Sequence, residues 1–383
     1  MYRPQPITDG EVQAALERAV SQVRLNLPKY TKKCQNHSSV DGLYPACGNT
    51  QWTCGFWPGE VWLAYERTGG GDFRRTGEVL VESFHRRIVK KVRVAHHDMG
   101  FLYTPSCVAA YQLTGNPLAR EAAILAAQQL ISRFQPKGGF IQAWGRMGAR
   151  MNYRFIIDCL LNLPLLYWAS NETGDGNYAD IANRHTATCL ANSFRPDGST
   201  FHTFYMNKDG SPGYGRTCQG YRDDSFWARG QAWGIYGSIL SYRHTGDPKA
   251  LDTFRRALDF YLTRLPEDLV PCWDMLFQPD SGEPRDSSSA AITACGLLEA
   301  ARILPGGDGG YERLAREMIG SLARDYAVRP PAPGTGLILH GTYSKKSPYN
   351  TCTPEGVNEC TSWGDYFYME ALTRLAGDWN PYW

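Results

Sequence analysis

One acidic residue stands alone in a long apolar run. From Asn152 to Trp168 the chain reads Asn-Tyr-Arg-Phe-Ile-Ile-Asp-Cys-Leu-Leu-Asn-Leu-Pro-Leu-Leu-Tyr-Trp, and Asp158 is its single carboxylate. Desolvating a carboxylate is unfavourable by several kcal/mol unless the group is paired or protonated. Burial also raises a carboxyl pKa, which leaves a proton donor usable near neutral pH. The competing reading is a buried aspartate held by backbone hydrogen bonds, and the segment alone favours neither.

A second carboxylate, Asp98, lies in His96-His97-Asp98-Met99-Gly100-Phe101, directly before another apolar stretch. A pair of carboxyl groups is the usual equipment for cleaving a glycosidic bond. Against that stands a helix N-cap, a common use of Asp at such a position. Two adjacent histidines and an aspartate also invite a metal. Sequence neighbours rarely aim at one ion, however, and no His-x-x-x-His or Cys/His set accompanies them, so no metal is expected.

Other polar and aromatic residues recur in apolar surroundings: Trp52, Phe56, Trp57, Trp144, His202, Gln219, Arg229 and Trp233. Arg229 must find an anion, either a ligand carboxylate or an internal partner, with the internal ion pair slightly favoured. The loop Gly341-Thr342-Tyr343-Ser344-Lys345-Lys346-Ser347 mixes hydroxyls and cations. It reads as a sulfate or carboxylate contact or, more commonly, as a solvated loop. No phosphate-binding loop, dinucleotide fingerprint or Gly-x-Ser-x-Gly elbow occurs; Gly69-Gly70-Gly71 has no strand before it.

Composition narrows the partners. Net charge is +2 over 383 residues, so nothing favours nucleic acid or an anionic membrane. Aromatics reach 13%, with 11 Trp and 22 Tyr, which suits ring faces stacking on sugars as well as filling helix interfaces. The N-terminus has no apolar core of signal-peptide type, and no stretch is long and apolar enough to cross a membrane. The 11 cysteines are odd in number and lack a Cys-x-x-Cys pair, so reduced thiols and a cytoplasmic location are expected.

What positions these residues is a repeated helix, turn, helix unit. Thr68-Gly69, Thr114-Gly115, Thr173-Gly174, Thr245-Gly246, Pro305-Gly306 and Ala376-Gly377 each follow an aromatic, small-residue segment and precede an amphipathic one. After Gly246, Leu251, Phe254, Leu258, Tyr261, Leu262 and Leu265 form one apolar stripe at steps of three and four. Before it, Trp227-Ala228-Arg229-Gly230-Gln231-Ala232-Trp233 is apolar on most sides. The pattern predicts inner helices near 55–67, 101–113, 153–170, 227–243, 288–303 and 363–375. It predicts outer ones near 11–26, 73–90, 117–134, 177–193, 248–264 and 311–326. Twelve alternating helices imply an all-α (α/α)6 barrel, one domain over 1–383, rather than an open superhelix with uniform periods. Long loops leave room for short hairpins. The residues before the inner helices then gather at one end of the ring.

Four segments carry a family resemblance: Trp52-Thr53-Cys54-Gly55-Phe56-Trp57-Pro58-Gly59, His97-Asp98-Met99-Gly100-Phe101, Asp158-Cys159-Leu160-Leu161-Asn162-Leu163-Pro164-Leu165-Leu166 and Trp227-Ala228-Arg229-Gly230-Gln231-Ala232-Trp233. In this order they resemble the unsaturated glucuronyl hydrolases of glycoside hydrolase family 88. The resemblance implies a metal- and cofactor-free barrel acting on lyase-generated oligosaccharides that end in a 4,5-unsaturated uronate. It implies that Asp158 protonates C4 and activates a water that adds at C5, with Asp98 as the second aspartate beside His97. His202, Gln219, Arg229 and Trp233 match the subsite for the unsaturated sugar, and Trp52, Phe56 and Trp144 match walling residues. Ser344, Lys345 and Lys346 match a region where relatives that prefer sulfated disaccharides use Ser and Lys. The related rhamnogalacturonyl hydrolases, acting on pectin fragments, and a non-catalytic sugar-binding barrel are the alternatives.

Overall fold

The computed structural model describes residues 4–304 and 310–383. Its helices are α1 (Asp9–Tyr30), α2 (Phe56–Thr68), α3 (Gly71–Val89), α4 (Met99–Tyr103), α5 (Ala109–Thr114), α6 (Pro117–Ile131), α7 (Pro164–Thr173), α8 (Asn177–Asn192), α9 (Ala228–Thr245), α10 (Pro248–Arg264), α11 (Ser287–Ile303), α12 (Tyr311–Ser321) and α13 (Ser362–Leu375). A π-helical turn, Thr104–Val108, joins α4 and α5 into one inner element. Pro105 has no amide proton to return to the preceding turn, and the helix widens there.

Inner elements pack on one another in sequence: α2, α4–α5, α7 with the turn before it, α9, α11 and α13. The last of them, α13, returns to α2. That contact closes the ring and makes the molecule an (α/α)6 barrel, sheathed by α1, α3, α6, α8, α10 and α12. Composition explains the two layers. In α9 every residue from Ala228 to Ser241 is buried, whereas α10 buries one stripe that includes Phe254, Ala257, Leu258 and Tyr261.

The repeated Thr-Gly turns share one device. Gly69, Gly115, Gly174 and Gly246 close their helices in left-handed geometry, at φ of +66, +68, +74 and +67°. The threonine before each turns its hydroxyl back to donate to the helix, at Ala64 O, Ala110 O, Ala169 O and Ser241 O. It also accepts the amide two residues on, from Gly70, Asn116, Asp175 and Asp247. The Ala376-Gly377 turn is different, since α13 ends at Ala376 with right-handed geometry. The Pro305-Gly306 turn lies outside the described residues.

One expected helix needs correction. The segment predicted as helical over 153–170 begins as strand β1 (Arg154–Ile156), continues as a 3-10 turn, Ile157–Leu161, and becomes α-helical only at Pro164. Pro164 cannot donate to Leu160, so the helical ladder is cut there. Upstream, the β-branched and aromatic run Tyr153-Arg-Phe-Ile is taken into a sheet with β2 (Thr203–Met206) and β3 (Pro212–Arg216). A hairpin of β4 (Gly341–Ser344) and β5 (Glu355–Glu359) lies before α13. Two-residue ladders pair Cys34–Gln35 with Ala46–Cys47 and Phe134–Gln135 with Phe140–Ile141. All of these strands sit in segments that precede inner helices.

Candidate active site

Asp98 and Asp158 reach one cavity of about 390 Å³ at this end of the ring, walled by Trp52, Trp144, His202, Gln219, Trp227, Arg229, Trp233 and Tyr343. Two close approaches fix the Asp158 segment, one against the Asp98 segment and one against α9. A β-carbon on Gly100 would lie 2.4 Å from Asn162 Cα, and one on Gly237 2.4 Å from Leu160 Cβ. The Asn162 side chain then bridges the two segments. Its Oδ1 accepts from Phe101 N at 2.9 Å, and its Nδ2 donates to Asp158 O at 3.3 Å.

Asp98 occupies an N-cap position, yet its side chain makes no capping bond. Its oxygens turn to the histidines, with Oδ2 3.0 Å from His96 Nδ1 and Oδ1 3.4 Å from His97 Nε2. His97 Nε2 is also 3.5 Å from Asp158 Oδ1. One donor atom from each of His97, Asp98 and Asp158 lies within 4.8 Å of the others, the only such group among the described residues. Two carboxylates and an imidazole could ligate a cation, and they are equally the parts of an acid/base pair.

Their environments push the two carboxyl groups apart. Burial drives Asp158 well above the usual carboxylate range, and the neighbouring Asp98 charge adds to it. Oδ1 has no hydrogen-bond partner, and the backbone hydrogen bond that reaches the carboxyl is the smallest of the influences on it. Burial acts upward on Asp98 as well, but His97 and His96 outweigh it and hold Asp98 below its ordinary value. Burial lowers His97 to about 4, which leaves its ring neutral at pH 7. The result is one carboxyl that holds its proton to higher pH than its neighbour, the division of labour an acid/base site needs.

The cavity walls are locked from behind. Arg229 Nη1 is 3.3 Å from the buried Asp286 carboxylate and donates to Thr342 O at 2.6 Å; Nη2 donates to Tyr343 O at 2.7 Å and to Gln219. The internal ion pair expected for Arg229 is therefore present, and the same guanidinium lines the cavity. Burial lowers the His202 ring to about 3, and its Nδ1 accepts from Cys218 N at 2.9 Å. The neutral ring thus carries its proton on Nε2. Trp52 stacks on Trp363 at 5.4 Å, and Trp144 lies flat on His96 at 4.3 Å. The Trp144 loop is gathered by Gln142 Nε2, which donates to the carbonyls of Trp144, Gly145 and Arg146.

Five sequence-selected residues lie off the wall. Phe56 is fully buried behind Trp52 and Phe101, and His97 backs the two carboxylates from within the protein. Ser344 donates to Thr353 O, Lys345 pairs with Glu283, and Lys346 donates to Asn350 O. The hydroxyl and cations of this loop each have a protein partner, and none of the three lines the cavity. Conversely, Arg154, Ile156, Thr203, Tyr205 and Arg216 line it from one face of the β1–β2–β3 sheet, where Ile156 opposes Thr203 and Thr203 opposes Arg216. Arg154 donates to Tyr205 OH at 2.8 Å, while its buried Nε has no partner. Alternation at 154 and 156 was the available signal, and it was masked by reading the segment as helix.

A closed helical barrel holding a split carboxyl pair in an aromatic, cation-bearing cleft defines a carbohydrate-active hydrolase. The chain belongs to Glycosyl Hydrolase Family 88, whose model matches residues 27–329. It is 46% identical to an unsaturated chondroitin disaccharide hydrolase of Streptococcus pneumoniae over 98% of this chain and 95% of that one. It is 39% identical to an unsaturated glucuronyl hydrolase of Bacillus sp. strain GL1 over 97% and 98%. The crystal structure of the unsaturated glucuronyl hydrolase from Streptococcus agalactiae superposes with a TM-score of 0.95 at 43% identity, covering 99% of this chain and 95% of that one. A variant of that enzyme has been solved with dGlcA-GalNAc6S bound. The enzyme is accordingly a glycoside hydrolase, and its relatives are of the glucuronyl rather than the pectin-directed type.

Proposed function

We propose that this enzyme releases the 4,5-unsaturated uronic acid from the non-reducing end of glycosaminoglycan disaccharides by hydrating the C4=C5 bond. The observation that carries the proposal is the Asp158/Asp98 pair, one carboxyl pushed up by burial and the other held down by two histidines, in one cavity with Arg229. Protonating carbon needs an acid that keeps its proton near neutral pH, and Asp158 is that acid. As the proton reaches C4, positive charge builds on C5 and the ring oxygen, and the Asp98 carboxylate stabilises it. Asp158, now ionised, takes a proton from water as the hydroxyl bonds to C5. The hemiketal so formed opens and frees the adjoining sugar.

Trp52, Trp144 and Trp233 wall the sugar, Arg229 and Arg154 supply positive charge for the uronate, and neutral His202 and Gln219 supply directional hydrogen bonds. The deciding experiment follows near-ultraviolet absorbance of the unsaturated uronate on a panel of chondroitin, hyaluronan and heparin disaccharides. Absorbance is expected to vanish in step with sugar release. Cleavage of saturated glucuronides at equal rates would overturn the proposal. The odd, scattered set of eleven cysteines without a Cys-x-x-Cys pair is the basis for reading a reducing, cytoplasmic setting.

A further inference from the structure

Behind the cavity lies an imidazole that no step of the hydration uses. His96 is buried and absent from the cavity wall, yet two groups of that wall, Asp98 and Trp144, rest on it.

The edge of the ring meets Asp98. Nδ1 accepts from Asp98 N at 3.1 Å and lies 3.0 Å from Asp98 Oδ2. Unprotonated, that nitrogen holds the amide; protonated, it donates to the carboxylate. In either form one ring atom fixes where Asp98 points. His97 Nε2 approaches the other oxygen, Oδ1, so the two histidines hold the carboxylate from separate oxygens.

The face of the ring meets Trp144. The two planes lie 8° from parallel with centroids 4.3 Å apart, and His96 is the one ring on which Trp144 stacks among the described residues. One indole face is covered in this way, and the residue remains 37% exposed at the cavity. Both partners are anchored from behind. His96 Nε2 donates to Arg93 O at 2.9 Å, and the same carbonyl accepts from the buried Arg87 guanidinium at 3.0 Å. Arg133 fixes the Trp144 loop, donating to Gln142 O at 2.8 Å and to Gly145 O at 3.1 Å.

We propose that His96 is a positioning residue that couples the two halves of the site: its Nδ1 edge aims the Asp98 carboxylate, and its ring face holds the Trp144 platform. The role rests on the hydration reaction proposed above, in which Asp98 meets developing charge and Trp144 walls the sugar. The two duties separate kinetically. Misplacing Asp98 weakens an interaction made in the transition state, which lowers kcat. Freeing Trp144 weakens an interaction already made with the bound sugar, which raises KM.

Three variants separate edge from face, each checked for a native circular dichroism spectrum and a thermal midpoint above the assay temperature. His96→Phe keeps the face and removes the nitrogen. On an unsaturated chondroitin disaccharide its kcat should fall about 10- to 100-fold, with KM nearly unchanged. His96→Asn keeps a polar atom at the Nδ1 position and removes the ring, so KM should rise about 2- to 10-fold with kcat nearly unchanged. His96→Leu removes both and should show both effects, so comparing Leu with Asn isolates the nitrogen even where Phe does not fold. Trp144→Ala should raise KM as His96→Asn does, and combining the two should raise it no further. His96→Phe added to Trp144→Ala should still lower kcat by its full factor. Wild-type kcat in His96→Phe, or the same kcat and KM in all three His96 variants, would overturn the role. A wild type inactive on every unsaturated disaccharide would instead overturn the proposed function, and the positioning role with it.

Discussion

Asp98→Asn tests the electrostatic division between the two carboxyl groups. The donor atoms of Asp98 and Asp158 lie within 4.8 Å of each other, with His97 Nε2 3.4 and 3.5 Å from them. At an effective dielectric of about 20, two unit charges at that separation repel by about 3 kcal/mol. Removing the Asp98 charge removes that repulsion, so Asp158 ionises at lower pH than in the wild type. It stays above the ordinary carboxylate range, because burial is the larger cause of its shift. The reaction needs Asp158 protonated, so the alkaline limb of the pH–kcat profile should move toward acid. Because the carboxylate facing the developing charge is also lost, kcat should fall by about 10²–10³-fold at its optimum. The assay is the absorbance decay of an unsaturated chondroitin disaccharide across the pH range where the fold is intact. An alkaline limb that stays put, or moves to higher pH, would refute the coupling.

Asp158→Asn should lower kcat by at least about 10²–10⁴-fold while leaving KM nearly unchanged. It should also raise the thermal midpoint at neutral pH. A carboxyl whose folded pKa is raised loses stability as pH climbs from its unfolded pKa to its folded one, so the gain should vanish below about pH 4; a midpoint lowered at pH 7 would contradict this. Asp98 has the opposite sign, its folded pKa being depressed, so it stabilises above its unfolded pKa and that stability is lost as pH falls through the folded one. Asn162→Ala breaks both bonds bridging the carboxylate segments and should destabilise by about 1–3 kcal/mol, with a fall in kcat exceeding any rise in KM; unchanged kcat would show that the bridge does not position the pair. Replacing Lys345 and Lys346 together with alanine should affect sulfated and unsulfated disaccharides alike, since Lys345 pairs with Glu283, Lys346 bonds to Asn350 and neither lines the cavity; a selective loss on sulfated substrates would restore a direct contact.

The barrel was legible because its cause is local and repeated. A Thr-Gly pair ends a helix by the same hydroxyl and left-handed glycine wherever it occurs, so four turns announce themselves in sequence. The ring's closure is a different matter, since no local signal says that α13 meets α2. Asp158 was conspicuous because a carboxylate among Ile and Leu is a local anomaly. Its secondary structure was misread because periodicity cannot separate a buried strand and 3-10 turn from a buried helix within one apolar run. That misreading hid Arg154, whose approach to the cavity depends on pairing with a strand some fifty residues away.

The Ser344–Lys346 loop is a different case. Its composition suggested ligand contact, but the three side chains are engaged by Thr353, Glu283 and Asn350, and none of them lines the cavity. What separates Asp158 from these lysines is position, since the carboxyl lines the cavity and the lysines do not. Asp158 Oδ1 and Arg154 Nε lack partners in the protein and belong to side chains that line the cavity. Buried polar atoms without partners are unfavourable in a folded chain, and a substrate that supplies those partners recovers the loss on binding. Of the buried unpartnered atoms, those of Asp158 and Arg154 are the ones placed to gain from an unsaturated uronate.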